Sequence, residues 1–130
     1  MAKIKKNKVL IIEDESDMVK ILNKRFSQNE FDVLVSSEGS QGVSIAQNNK
    51  PDIIVLDLML PTGDGLEVLE SLNGLPETKD IPVIVVTGNK DERYKKQVID
   101  KGVAAYLEKP YSFETLMDII NNIFKNKKGI

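Results

Sequence analysis

The sequence predicts an α/β protein: one domain in which a parallel five-stranded sheet is covered by helices on both faces. Three observations predict it. Short, mostly β-branched hydrophobic runs recur along the chain, segments with apolar residues at helical spacing lie between them, and the two kinds of segment alternate. Strands written as continuous apolar runs are buried on both faces, and such burial belongs to parallel sheets held between helix layers.

The elements follow in order. Behind a basic start, Val9-Leu10-Ile11-Ile12 predicts the first strand, which runs into Glu13-Asp14-Glu15. From Ser16 the spacing turns helical, with Val19, Leu22 and Phe26 at steps of three and four and Met18 beside them, and acids in the first turn suit the helix dipole. Phe31 to Val35 predicts a second strand, and Ser40 to Gln47 a helix that contains Gly42. Asp52 to Leu56 is the third strand; it delivers Asp57 into a turn carrying Pro61, Gly63, Asp64 and Gly65. Leu66, Val68, Leu69 and Leu72 predict a helix from near Asp64 to Gly74, with Pro76 helping to end it. Ile81 to Val86 is the fourth strand and ends in Thr87-Gly88-Asn89. Asp91 to Lys101 predicts a polar helix with Tyr94 and Val98 facing inward and Gly102 as its C′ residue. Ala104 to Leu107 is a short fifth strand ending in Glu108-Lys109-Pro110. Phe113, Leu116, Met117, Ile120, Ile123 and Phe124 then mark one face of a last helix, with Ser112 as N-cap and Glu114 in its first turn.

For a βαβαβαβαβα chain, right-handed crossovers leave only a few doubly wound topologies, and five strands favour the flavodoxin-like (βα)5 order 2-1-3-4-5. No GxGxxG follows the first strand and no Walker loop occurs, so neither phosphate-cradling motif is present. The 130 residues, 41% of them hydrophobic, suffice for one core. The chain has no Cys and no His, which removes disulfides, thiolate chemistry and the usual neutral-pH base, and leaves Asp, Glu, Lys, Ser, Thr and Tyr for any chemistry. No signal peptide and no membrane-spanning run is legible, so a soluble, cytoplasmic protein without membrane insertion is expected. The net charge of −2 hides an asymmetry: with the 7 lysines of the two tails set aside (Lys3, Lys5, Lys6, Lys8, Lys125, Lys127 and Lys128), 11 bases face 20 acids and the body carries about −9. That balance argues against direct nucleic-acid binding by the domain, and solvated ends are the bland reading of the tails.

In the order 2-1-3-4-5, strands one, three, four and five are neighbours, and ligands bind beyond the carboxyl ends of such strands. Four strand ends carry polar groups suited to one site: Glu13 and Asp14, Asp57, Thr87 and Lys109. Singly each has a structural reading as a helix-start acid, a turn hydroxyl or a solvated lysine. Together they are a constellation. Two carboxylates ~5 Å apart repel by ~3 kcal/mol at an effective dielectric of ~20, so three acids need a cation. Oxygen-only ligands select a hard ion, and a few carboxylates suit Mg²⁺, which retains waters and takes up phosphate oxygens. With Lys109 and Thr87 opposite, the group is a clamp for phosphoryl transfer in which Asp57 is the nucleophile.

Glu13-Asp14, the run Asp57-Leu58-Met59-Leu60-Pro61 with Asp64-Gly65, Thr87-Gly88, and Tyr106-Leu107-Glu108-Lys109-Pro110 resemble the receiver domain of bacterial two-component response regulators. The resemblance runs from about Lys8 to Phe124. It implies a single receiver domain over 1–130, with a core of about 8–124 and basic tails 1–7 and 125–130. Asp57 would be the phospho-acceptor for an external sensor histidine kinase or histidine phosphotransfer protein. Glu13, Asp14, Asp57 and the Met59 backbone carbonyl would hold Mg²⁺, with Mn²⁺ as a substitute. Thr87 and Lys109 would bind phosphoryl oxygens, Thr87 and Tyr106 would form the switch, and the Lys109–Pro110 bond would be cis. A downstream protein would be met by the fourth helix, fifth strand and last helix, and the only chemistry would be the domain's own phosphorylation and autodephosphorylation. Gly63, Val103 and Ala105 depart from the family's commoner residues without touching the phosphoryl site.

Two new charge-assisted hydrogen bonds at ~1.5–3 kcal/mol each come near the ~5.5 kcal/mol that moves a two-state switch from 1:99 to 99:1. The rival class is a Mg²⁺-dependent phosphohydrolase with an aspartyl nucleophile; it usually wants an acid two residues after the nucleophile, where Met59 stands. A third is a binding module of the same fold that holds a flavin or no longer accepts a phosphoryl group. The chain ends about where a receiver fold ends, so a stand-alone receiver or a piece of a longer protein is expected, without an output domain of its own.

Overall fold

The computed structural model describes residues 5–60 and 65–129, apart from the side chains of 127–129. Among the described residues five strands and five helices alternate: β1 (Asn7–Ile12), α1 (Ser16–Gln28), β2 (Phe31–Ser36), α2 (Gly39–Asn49), β3 (Ile53–Asp57), α3 (Gly65–Gly74), β4 (Val83–Thr87), α4 (Glu92–Asp100), β5 (Ala105–Glu108) and α5 (Phe113–Gly129). All strand pairings are parallel and the order is β2-β1-β3-β4-β5, the flavodoxin-like order expected.

The continuous apolar runs are explained by two cores, one on each face of the sheet. Successive side chains of a strand point to opposite faces. Leu10, Ile12, Ile54, Leu56, Val83 and Val85 therefore pack with Ala46, Val68, Leu69, Leu72 and Val98 of α2, α3 and α4. Val9, Ile11, Ile53, Val55, Ile84 and Val86 pack with Leu22, Phe26, Leu116 and Ile120 of α1 and α5. Every residue of β3 and β4 is buried. A side chain such as Asp57 at the end of β3 is thus fixed by a strand with no solvent-facing side.

Element ends moved by a residue or two from the sequence expectation. β4 begins at Val83 rather than Ile81, because Pro82 has no N–H to give a ladder; its carbonyl instead accepts from the Ile54 N–H at 3.0 Å. β3 ends on Asp57 itself, and β5 ends on Glu108. Asp91 caps α4 by accepting from the Arg93 N–H at 2.8 Å, and Ser112 caps α5 by accepting from the Thr115 N–H at 3.1 Å. Gly102 takes φ +85° just past α4, the left-handed C′ position anticipated for it. The expected turn residues Pro61, Gly63 and Asp64, and the start of the third helix near Asp64, lie outside the described residues. α3 is described from Gly65, where a Cβ would stand 2.5 Å from the Leu58 backbone; glycine allows the helix to start directly against the chain leaving Asp57.

Candidate functional site

Parallel pairing brings the carboxyl ends of β1, β3, β4 and β5 side by side, so the groups just past them share one edge. Glu13 follows β1 and is buried, its N–H bonded to the Ser36 carbonyl at 3.0 Å, while Asp14 beside it is exposed. Asp57 is 3% exposed and Thr87 fully buried. Lys109, the residue after β5, is held by its backbone N–H on the Thr87 carbonyl at 2.8 Å, and the Lys109–Pro110 peptide bond is cis.

Lys109 ties the site together. Its Nζ donates to Asp57 Oδ2 at 3.0 Å and to Glu13 Oε1 at 3.1 Å. The second oxygen of each carboxylate accepts a backbone N–H: Asp57 Oδ1 from Met59 at 2.9 Å and Glu13 Oε2 from Glu15 at 3.2 Å. One ammonium thus serves two buried carboxylates. Burial pushes the Glu13 carboxyl above the ordinary glutamate value and the adjacent Asp57 adds to the rise, against the pull of the Glu15 N–H and Lys109. Burial would lower the Lys109 ammonium, but the Asp57 and Glu13 carboxylates outweigh it and hold Lys109 above an ordinary lysine.

Glu13, Asp14 and Asp57 each offer a carboxylate oxygen, and these atoms lie within 4.8 Å of one another. This all-oxygen donor set, with one lysine opposite, fits a hard divalent cation of the Mg²⁺ kind. Met59 places its backbone against Asp57 while its side chain is 57% exposed, so a flexible apolar group stands at the mouth of the pocket.

Thr87 Oγ1 accepts the Asn89 N–H at 3.1 Å, and Asn89 Oδ1 accepts the Asp91 N–H at 2.9 Å, so the β4–α4 loop is folded back on the threonine hydroxyl. Tyr106, half-buried on β5, directs its hydroxyl to the Asn89 carbonyl at 3.4 Å and carries Lys95 Nζ over its ring at 5.5 Å from the centroid. Burial raises the Tyr106 phenol, with Glu108 and Glu92 adding to it. Thr87 and Tyr106 therefore meet through one loop residue, Asn89.

All the residues singled out in the sequence, Glu13, Asp14, Asp57, Met59, Thr87, Tyr106 and Lys109, come to this one edge. Tyr111 was not among them. Its hydroxyl is buried without a hydrogen-bond partner among the described residues, and its phenol is raised by burial while sensing the charges of Lys109, Glu13 and Asp57. Its place two residues after Lys109 was the available signal, but an aromatic just ahead of a helix cap reads equally well as core.

With this geometry in view, comparison with known proteins is specific. The profile of the response regulator receiver domain matches residues 9–121, and the chain belongs to that family. It is 35% identical over 106 residues to the alkaline phosphatase synthesis transcriptional regulatory protein PhoP of Bacillus subtilis, covering 81% of this chain and 43% of that protein. It is 30% identical over 120 residues to the response regulator ArlR of Staphylococcus saprophyticus, covering 92% of this chain and 53% of that protein. The chain thus spans about half the length of these curated relatives or less. Among solved structures, the receiver domain of the Francisella response regulator 1452 superposes with a TM-score of 0.84 at 28% identity, covering 94% of this chain and 99% of that one. The receiver domain of the Pseudomonas aeruginosa sensor histidine kinase PA1611, at 22% identity and a TM-score of 0.83, shares the fold over 91% of this chain and 97% of its own; that structure has a magnesium ion coordinated in its active-site cleft. Among the described residues no helix is long and apolar enough to cross a membrane.

Proposed function

We propose that this receiver domain accepts a phosphoryl group on Asp57 from a sensor histidine kinase or a histidine phosphotransfer protein. The observation that carries the reading is Lys109, whose ammonium bridges Asp57 and Glu13 at 3.0 and 3.1 Å beside the buried Thr87 hydroxyl. A carboxylate on a rigid buried strand, a fixed cation and a hydroxyl donor supply the positioning and charge neutralisation that phosphoryl transfer needs. An Asp57 carboxylate oxygen attacks phosphorus, the P–N bond to the donor imidazole breaks, and the electron pair leaves with the imidazole nitrogen. Lys109 then turns from the two carboxylates to the phosphoryl oxygens, and the Thr87 hydroxyl donates to another of them.

Glu13, Asp14 and Asp57, aided by the Met59 carbonyl, would hold Mg²⁺ or Mn²⁺, whose chemistry is to neutralise phosphoryl charge. Drawing Thr87 toward the new phosphoryl group releases its hold on Asn89, and Asn89 is where the Tyr106 hydroxyl rests. The face of α4, β5 and α5 then repacks and presents itself to a downstream protein. The domain works in the cytoplasm, its own phosphorylation and hydrolysis being its only chemistry.

Intact mass after incubation with acetyl phosphate and Mg²⁺ tests the reading. One phosphoryl group is expected on the wild type and none on Asp57→Asn. Many equivalents of donor turned over without a lasting adduct would favour the phosphohydrolase, and no adduct at all would overturn the proposal.

A further inference from the structure

Tyr111 stands between β5 and α5, two residues after Lys109, and its ring packs with Met18 against the core that α1 and α5 share with the sheet. Its hydroxyl is the one buried side-chain polar atom that has no hydrogen-bond partner among the described residues. A buried hydroxyl without a partner destabilises the arrangement that holds it, and a phenylalanine of the same shape would not carry that penalty. Burial raises the phenol, so the proton stays on its oxygen and the group remains a donor; of the charges that reach it, Lys109 comes first, then Glu13 and Asp57. The donors and acceptors of the neighbouring pocket are balanced only while Lys109 serves both carboxylates. Glu13 Oε1 then accepts from Nζ at 3.1 Å and Oε2 from the Glu15 N–H at 3.2 Å, so both oxygens of a side chain 3% exposed are satisfied. Turning the ammonium toward a phosphoryl group on Asp57 strips Oε1 of its donor in a place that water barely reaches.

We propose that the Tyr111 hydroxyl is a positioning group for the phosphorylated state: it donates to the Glu13 carboxylate once Lys109 has turned to the phosphoryl oxygens. This role presupposes Asp57 as the phospho-acceptor. A donor with no acceptor and an acceptor that loses its donor lie on the same side of the pocket, and the movement of Lys109 acts on the short segment that carries Tyr111. A hydrogen bond from an outer group also orients a metal-ligating carboxylate, and Glu13 is one of the three acids that would hold the cation. The hydroxyl therefore disfavours the arrangement with Lys109 on both carboxylates and favours the one with Lys109 released. A hydroxyl that only rode on a packing ring would act on both arrangements alike.

Tyr111→Phe, which keeps the ring and removes the hydroxyl, tests this in the whole chain with beryllium trifluoride as the phosphoryl analogue and Mg²⁺ present. Without either ligand the variant should melt at or above the wild-type temperature. Its affinity for beryllium trifluoride, read by calorimetry, should nevertheless be about tenfold weaker, the size of a lost hydrogen bond to a charged group. Effects of opposite sign on the two states are what a purely structural role would not give. In a Glu13→Gln background the same substitution should weaken binding by about threefold or less, because a neutral acceptor gains less from the hydroxyl. A tenfold loss that persists in full in that background would place the partner elsewhere and overturn the assignment. Equal affinity in wild type and Tyr111→Phe, or a weaker affinity matched by a lower melting temperature, would mark the hydroxyl as packing and overturn it too, with Asp57 still the acceptor. A wild type that neither binds beryllium trifluoride nor gains a phosphoryl group from acetyl phosphate would instead overturn the Asp57 reading and the role of Tyr111 with it.

Discussion

Lys109 Nζ lies 3.0 Å from Asp57 Oδ2 and 3.1 Å from Glu13 Oε1, so a single cation from the end of β5 neutralises carboxylates from the ends of β3 and β1. The sheet's strand order makes that meeting possible: β3 lies between β1 and β4, and β5 follows β4.

Removing this cation should be costly in the absence of divalent ions. Lys109→Met leaves Glu13 and Asp57 facing each other with only backbone N–H partners. Breaking a fully buried pair costs ~3–5 kcal/mol; the Lys109 side chain is 24% exposed, so about 1–3 kcal/mol is expected here. Urea unfolding with and without Mg²⁺ measures it, and added Mg²⁺ should restore more stability to the variant than to the wild type. A variant as stable as the parent without Mg²⁺ would show that the ammonium is dispensable.

Thr87→Ala should separate phosphorylation from its readout. Loss of the hydroxyl leaves the Asn89 N–H short of an acceptor, at a cost of about 1 kcal/mol in the resting protein. The variant should still gain a phosphoryl group, yet the amide shifts of Asn89 and Tyr106 should change far less than in the wild type. Wild-type shifts, or an unchanged affinity of the phosphorylated protein for its partner, would break the proposed coupling.

Phosphoryl lifetime should respond to the two residues at the pocket mouth. The exposed Met59 side chain cannot orient a water, and the Asn89 amide oxygen is already engaged with the Asp91 N–H. Slow to intermediate autodephosphorylation is expected. Met59→Asn combined with Asn89→Glu should hasten decay by about tenfold or more, within the range that positioned acid–base groups contribute. Phosphate release from the purified phosphoprotein reports it, and unaltered decay would refute the assignment.

Far from the site, Arg25 joins α1 to α5, donating from Nη2 to Glu114 Oε2 at 2.5 Å and lying 4.7 Å above the Phe113 ring. The Glu114 carboxyl is held below its ordinary 4.5, first by its own backbone N–H and then by Arg25. A lowered carboxylate contributes stability that is full above the unfolded value and lost as pH falls through the folded one. The melting-temperature gap between wild type and Arg25→Gln should therefore be small at neutral pH, shrink below about 4.5 and with added salt, and keep the residue due to stacking on Phe113. A gap that widens on acidification would contradict the pairing.

The sequence by itself determined the layered fold and the identity of the phosphoryl-site candidates. Apolar runs such as Val9–Ile12 and Ile53–Leu56, short, mostly β-branched and bounded by polar or turn residues, read as strands buried on both faces, and with helical crossovers making them parallel the acids, hydroxyl and lysine that follow them fall at one edge. Local chemistry also marked Ser112 as a cap and Gly102 as a left-handed terminus, because both depend on a few neighbouring atoms. What only the tertiary structure decided are contacts between residues distant along the chain. These include Lys109 shared between two carboxylates, Tyr106 resting on the Asn89 carbonyl, the Tyr111 hydroxyl buried without a partner among the described residues, and the stacking of Phe124 on Phe31. Such pairings depend on distances of a few ångströms between elements, and the hydrophobic period of one element carries no record of which atom of another it will face.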